Sequence, residues 1–141
     1  MKQLSEFVLH HPFLFLALLG ILVMLIGNEL RRAMLNLKEV SPLEATQLLN
    51  HQDAVLLDVR EPQEYQDGVL PNSIRIPLGS LSEKAAQLDK HRERPIIIVC
   101  RSGNRSAQAG RMLKKMGYET VYNLGGGLHA WRTANLPISK K

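Results

Sequence analysis

The sequence predicts an α/β domain built on a mainly parallel sheet with helices on both faces, preceded by one N-terminal transmembrane helix. Three observations predict it. Short apolar runs such as Val55-Leu56-Leu57 and Ile96-Ile97-Ile98-Val99 alternate with segments of helical period, the pattern of a crossover-connected parallel sheet. The run 96–99 has no polar interruption, as a strand buried on both faces requires. Residues 13–27 carry no polar side chain at all.

That apolar stretch comes first in the chain. At about 1.5 Å per residue it falls short of a hydrocarbon core of roughly 30 Å, but Phe7-Val8-Leu9 and the interfacial His10 and His11 extend it to spanning length. A cleaved leader would need a small-x-small site, and Gly27-Asn28-Glu29-Leu30 supplies none. The stretch therefore reads as an uncleaved anchor in membrane lipid. Arg31, Arg32 and Lys38 outweigh a leader holding Lys2 and Glu6, so the positive-inside rule places the rest of the chain in the cytoplasm, beneath the cell (inner) membrane. Adjacent histidines on a helix point in different directions, which argues against a metal pair at His10 and His11.

The chain divides on this reading into an anchor and juxtamembrane linker (1–39), one folded domain (40–137) and a frayed tail (138–141). Ser41-Pro42-Leu43-Glu44 is a capping box with proline at the first helical position, and Leu43, Ala45, Leu48 and Leu49 form the apolar face behind it. Residues 54–58 form a short strand ending in Asp58. Pro62 starts a helical turn that breaks at Gly68. Residues 73–76 are a second strand closed by Pro77, residues 82–90 a surface helix, and 96–99 the central strand. Ala109, Met112, Leu113 and Met116 mark a helix that stops at Gly117. Residues 120–123 are a further strand, and after Gly125-Gly126-Gly127 a last helix is anchored in the core by Trp131.

Cys100, the sole cysteine of 141 residues, excludes an internal disulfide, a Cys-x-x-Cys pair and a multi-cysteine zinc site. It sits between the central strand and the helix that follows, where sites of parallel sheets gather. At a helix N-terminus the amides and the dipole favour its thiolate. Gly103 permits the positive φ needed where the chain doubles back, Ser102, Asn104 and Ser106 add short donors, and Arg101 and Arg105 suit a tetrahedral oxyanion. A purely structural thiol has no need of such a density of anion donors. The net charge of +5 is dispersed among Asp and Glu, and only 5% of residues are aromatic, which argues against a nucleic-acid partner. His51, His91 and His129 show no ligand pattern, and neither a metal nor a cofactor is implied.

The run Cys100-Arg101-Ser102-Gly103-Asn104-Arg105-Ser106 resembles the active-site loop of rhodanese domains, the thiosulfate and persulfide sulfurtransferases. Leu57-Asp58-Val59-Arg60-Glu61-Pro62 with Glu64-Tyr65 and Gly68 is similar to the family's first signature, Ile74-Arg75-Ile76-Pro77 to the segment after it, and Leu124-Gly125-Gly126-Gly127 with Ala130-Trp131 to its C-terminal signature. One departure is Gly68-Val69-Leu70, where many members carry a histidine after the glycine. The resemblance implies a five-stranded parallel sheet, Cys100 as nucleophile and residues 101–106 as the substrate cradle. Asp58 and Arg60 read either as catalytic groups or as a buried ion pair that shapes the neighbouring loop, and are classed as supporting.

The function so implied is transfer of a sulfane sulfur from a small anionic donor, such as thiosulfate or a persulfide, through a Cys100 persulfide to a thiol or sulfur-carrier acceptor at the membrane surface. A phosphatase is disfavoured, because residues 101–104 separate Cys100 from Arg105, one fewer than in Cys-x5-Arg phosphate loops. The non-enzymatic alternative is a tethered docking or regulatory module for a membrane-protein partner.

Overall fold

The computed structural model describes residue 7 and residues 10–140. The leader with Lys2 and Glu6, the Val8 and Leu9 extension and Lys141 lie outside the described residues. The chain divides into two units, Met1–Asn36 and Leu37–Lys141.

In the first unit, Pro12 opens helix α1, Pro12–Met34. Proline suits a first helical turn because its missing N–H has no partner to lose there. Within it, Pro12–Arg31 is long and apolar enough to cross a membrane, by length and composition. Its apolar side chains, among them Phe13, Leu16, Met24 and Leu25, are exposed.

The second unit runs β1 (Lys38–Val40), α2 (Pro42–His51), β2 (Val55–Asp58), a 3-10 turn (Pro62–Asp67), β3 (Ile74–Arg75) and a short 3-10 turn (Leu78–Ser80). It continues with α3 (Leu81–Lys84), a 3-10 segment (Ala85–His91), β4 (Ile96–Val99), α4 (Asn104–Lys115), β5 (Val121–Leu124) and α5 (Gly127–Thr133). The five strands form one sheet in the order β1-β5-β4-β2-β3, parallel throughout.

Strand alternation divides the apolar residues between two cores. Ile96 and Ile98 point to one face, where Leu57, Leu81, Leu88, Ala109 and Leu113 close over them. Ile97 and Val99 point to the other, against Ala45, Leu56, Leu124, Leu128 and Trp131. Helix α4 thus covers one face and α2 with α5 the other, so β4 is dry on both sides. The register sets Asp58 beside Val99 and Ile98 beside Asn123, which brings the carboxyl ends of β2, β4 and β5 to one edge.

The capping box is present: Glu44 N–H donates to Ser41 Oγ at 3.2 Å, and Ser41 N–H donates to Glu44 Oε2 at 2.7 Å. It stabilises the start of α2 by about 1 kcal/mol. Three features differ from the sequence expectation. Lys38 and Glu39, read as linker, form with Val40 an edge strand parallel to β5; three residues of mixed polarity carry no strand period, and only the partner strand makes them one. The expected helix 82–90 is α-helical only to Lys84 and continues from Ala85 as a 3-10 segment, whose first carbonyl, Ala85 O, accepts from the Tyr118 hydroxyl at 3.1 Å. The tail expected to fray is held: Ser139 exchanges two backbone hydrogen bonds with Val69, at 2.9 and 2.8 Å, and Trp131 Nε1 donates to Pro137 O at 3.0 Å. Gly68, at φ 104°, lets Ile138 pack directly over it, so this closure occupies the stretch where the first signature departs from its family pattern.

Candidate functional site

Strand β4 ends at Val99, and Cys100 follows with 1% of its surface exposed. The chain then reverses through Gly103, which adopts φ 106° as the residue preceding α4, a conformation that only glycine takes without strain. This reversal turns the loop back over the sulfur. Gly103 N–H donates to Cys100 Sγ at 3.0 Å, and the Ser106 hydroxyl lies 3.3 Å from the same sulfur. Burial pushes the Cys100 thiol up, but the Ser106 hydroxyl and the amides of Ser106, Gly103 and Ser102 outweigh it, holding the group below the ordinary thiol value. Arg101, Ser102 and Asn104 are exposed and form the solvent side of the loop.

Of residues 101–106, Gly103 and Ser106 make the hydrogen bonds to the sulfur, and the two arginines differ. Arg101 is exposed. Arg105 is half-buried and forks onto Glu64, Nη1 to Oε2 and Nη2 to Oε1, both at 2.7 Å. That bidentate pair holds the Glu64 carboxyl down to about 2, against a smaller opposing effect of burial, with the Glu61 amide assisting.

Asp58 and Arg60 form the buried ion pair. Arg60 Nη2 lies 2.7 Å from Asp58 Oδ2 and Nε lies 3.0 Å from Oδ1, with both residues almost wholly enclosed. Arg60 then donates to Glu64 O at 3.1 Å and Gly68 O at 2.9 Å, while Tyr65 returns a hydrogen bond to Arg60 O at 3.0 Å. Arg60 is thus the clamp that fixes the Pro62–Asp67 turn, and the turn presents Glu64 to Arg105. A charge buried in this way holds geometry because removing either partner leaves the other uncompensated.

Two contributors were not legible as site residues. Asn123, read only as part of a strand, is buried in β5, accepts from Ser106 Oγ at 2.6 Å and donates through Nδ2 to Gly103 O at 3.2 Å. An asparagine inside an otherwise apolar strand, between Tyr122 and Leu124, was the available signal. The start of α5 is the other. Leu128 N–H donates to Cys100 O at 2.8 Å and His129 N–H to Arg101 O at 3.3 Å. Such contact needs Gly127, since a Cβ there would meet Cys100 O at 2.5 Å and the Arg101 carbonyl carbon at 2.7 Å. His129 itself is exposed, and His91 contacts Arg94 through Nδ1 at 3.1 Å.

The arrangement offers a stabilised sulfur anion in a cradle of amides, able to attack an electrophilic sulfur and to hold the resulting charge. Comparison with known proteins agrees with this chemistry. The profile of the Rhodanese-like domain matches residues 41–134. Over 139 residues the chain is 30% identical to Uncharacterized protein YibN of Escherichia coli strain K12, covering 98% of this chain and 97% of that protein. Over 94 residues it is 38% identical to Thiosulfate sulfurtransferase GlpE of Pseudomonas syringae pv. syringae, covering 65% of this chain and 85% of that one. The crystal structure of a rhodanese-related protein from Thermoplasma volcanium superposes with a TM-score of 0.67 at 30% identity, covering 74% of this chain and 99% of the other.

Proposed function

The chain belongs to the rhodanese-like family, and from that premise we propose that it moves a sulfane sulfur from thiosulfate or a persulfide donor, through a persulfide on Cys100, to a thiol acceptor at the membrane surface. The observation that carries the reading is the buried sulfur that accepts from Gly103 N–H and the Ser106 hydroxyl, with its thiol held below the ordinary value.

In the first half-reaction the Cys100 thiolate attacks the outer sulfur of thiosulfate. A new S–S bond forms, the sulfur–sulfur bond of the donor breaks, and sulfite leaves with its electron pair. The negative charge moves to the outer sulfur of the persulfide, where the loop amides stabilise it. In the second half-reaction an acceptor thiolate attacks that outer sulfur and leaves as a persulfide, which restores the Cys100 thiolate. No metal or redox partner enters this balance. Exposed Arg101 supplies the charge that draws an anionic donor, while Arg105, neutralised by Glu64, shapes the wall.

The membrane part of the proposal rests on α1, whose Pro12–Arg31 stretch has spanning length, and on the basic residues Arg31, at the end of that stretch, and Arg32 and Lys38 beyond it. The domain then faces the cytoplasm, where thiols stay reduced and a single unpaired cysteine keeps its reactivity. A membrane-protein partner would find the enzyme already concentrated at the bilayer. The deciding experiment is intact-mass measurement of the protein after exposure to thiosulfate: a gain of about 32 Da, lost on addition of a thiol, is expected. An unchanged mass with a free, alkylatable Cys100 overturns the mechanism and leaves a docking module.

A further inference from the structure

The Ser106 hydroxyl has one proton and two acceptors, Asn123 Oδ1 at 2.6 Å and Cys100 Sγ at 3.3 Å. The other end of Asn123 fixes which atom faces Ser106. Its Nδ2 donates to the Gly103 carbonyl at 3.2 Å, a group that can only accept, so the oxygen is turned toward the hydroxyl. The Asn123 side chain is held from both ends, by the loop glycine and by Ser106, inside a strand that pairs with β4 just below Cys100.

We infer that Asn123 is a positioning residue that accepts the Ser106 hydroxyl hydrogen bond whenever the Cys100 sulfur is neutral and loses it to that sulfur when the sulfur becomes a thiolate. A hydrogen bond to a charged acceptor is roughly twice as strong as one to a neutral acceptor, so ionisation of the sulfur draws the hydroxyl proton toward it. A neutral sulfur at 3.3 Å competes poorly with an amide oxygen at 2.6 Å, and the proton turns back. Thiolate formation therefore costs the Ser106–Asn123 hydrogen bond, and the thiol proton itself leaves to solvent. The same turn follows sulfur loading, because the charge then lies on the outer sulfur and Sγ is neutral again. Asn123 thereby favours the loaded and the protonated states over the free thiolate, which restrains idle reactivity of the nucleophile.

The surrounding charges act on the thiol by a different route. Arg105 from α4 interacts with Cys100 and is paired with Glu64 from the Pro62–Asp67 turn, and Asp58 with Arg60 closes the end of β2 beside β4. None of these accepts a hydrogen bond from the Ser106 hydroxyl, so substitution at Asn123 leaves them in place.

The inference rests on Cys100 as the nucleophile, but its test needs no sulfur donor. The full-length chain in detergent is titrated by the pH dependence of iodoacetamide alkylation and by thiolate absorbance in the ultraviolet. Asn123→Leu removes the competing acceptor and is expected to lower the Cys100 pKa, giving about 3- to 10-fold more thiolate at a pH below the midpoint. Ser106→Ala is expected to raise the pKa, and Asn123→Leu in the Ser106→Ala background to shift it no further. If the leucine variant does not fold by circular dichroism, Asn123→Ala, which removes the same acceptor in less space, carries the same expectation. A pKa at or above the wild-type value, or an equal shift with and without Ser106, overturns the inference. Mass gain from thiosulfate reports separately on the sulfurtransferase reading.

Discussion

Arg105 and Glu64, separated by 41 positions in sequence, meet through two parallel hydrogen bonds of 2.7 Å that tie the first turn of α4 to the Pro62–Asp67 turn. The pair joins the first signature of the family to its active-site loop, and it changes what each arginine of that loop can do. An anion approaching Cys100 meets one uncompensated guanidinium, Arg101, rather than two.

Arg101→Ala is accordingly expected to raise the KM for thiosulfate severalfold with little change in kcat, and to reduce the salt dependence of the reaction. Arg105→Ala should instead lower the melting temperature, because it leaves Glu64 partly buried and unpaired. Steady-state kinetics and thermal denaturation of the two variants check this, and equal KM effects with unchanged stability would refute the division of roles.

The same pair predicts a pH dependence of stability. Glu64 is held down to about 2 from its usual 4.5, so its contribution is fully present above the unfolded value and is lost as pH falls through the folded one. With the carboxylate only partly exposed, that contribution is roughly 1–3 kcal/mol after allowance for solvent screening. Denaturant unfolding should show Glu64→Gln less stable than wild type at pH 6, with the gap closing between pH 4.5 and 2. A gap that stays constant through that window would show that the carboxylate charge is not its source.

Cys100→Ser is expected to abolish sulfur transfer and the mass gain while leaving the circular dichroism spectrum unchanged, since a hydroxyl of similar size can keep the amide hydrogen bonds. Residual turnover near the wild-type rate would remove Cys100 from the mechanism.

Gly127→Ala tests the brace behind the loop. The residue has φ 58°, and an added methyl would meet Cys100 O and the Arg101 backbone at 2.5–2.8 Å. Neither side can yield without moving the loop, so a stability loss of about 2–3 kcal/mol and at least about a 10-fold loss of kcat are expected. Wild-type kinetics in this variant would show that the contact of α5 with the loop does not position the nucleophile.

Anchoring is tested in cells. The full-length chain should remain in the membrane fraction after carbonate washing, and protease outside spheroplasts should spare the domain. Release of a mature chain beginning after Gly27 would replace the anchor with a cleaved leader.

The sequence by itself carried the order of the fold and the place of the candidate nucleophile, Cys100, at the end of β4. Periodicity exposed β2, β4, α2 and α4 because each buries its own local pattern, and the Cys100 loop was legible because its glycine, hydroxyls and arginines are contiguous. Tertiary structure alone decided what depends on residues far apart in the chain. Lys38–Val40 becomes a strand only beside β5, Ser139 is ordered only by Val69, and Arg105 loses its free charge only when Arg60 has pinned the turn that carries Glu64. Asn123 shows the same limit at the site itself. Its strand position could be read from its neighbours, but its two hydrogen-bond partners come from the loop and helix after a different strand, and no local pattern encodes that meeting.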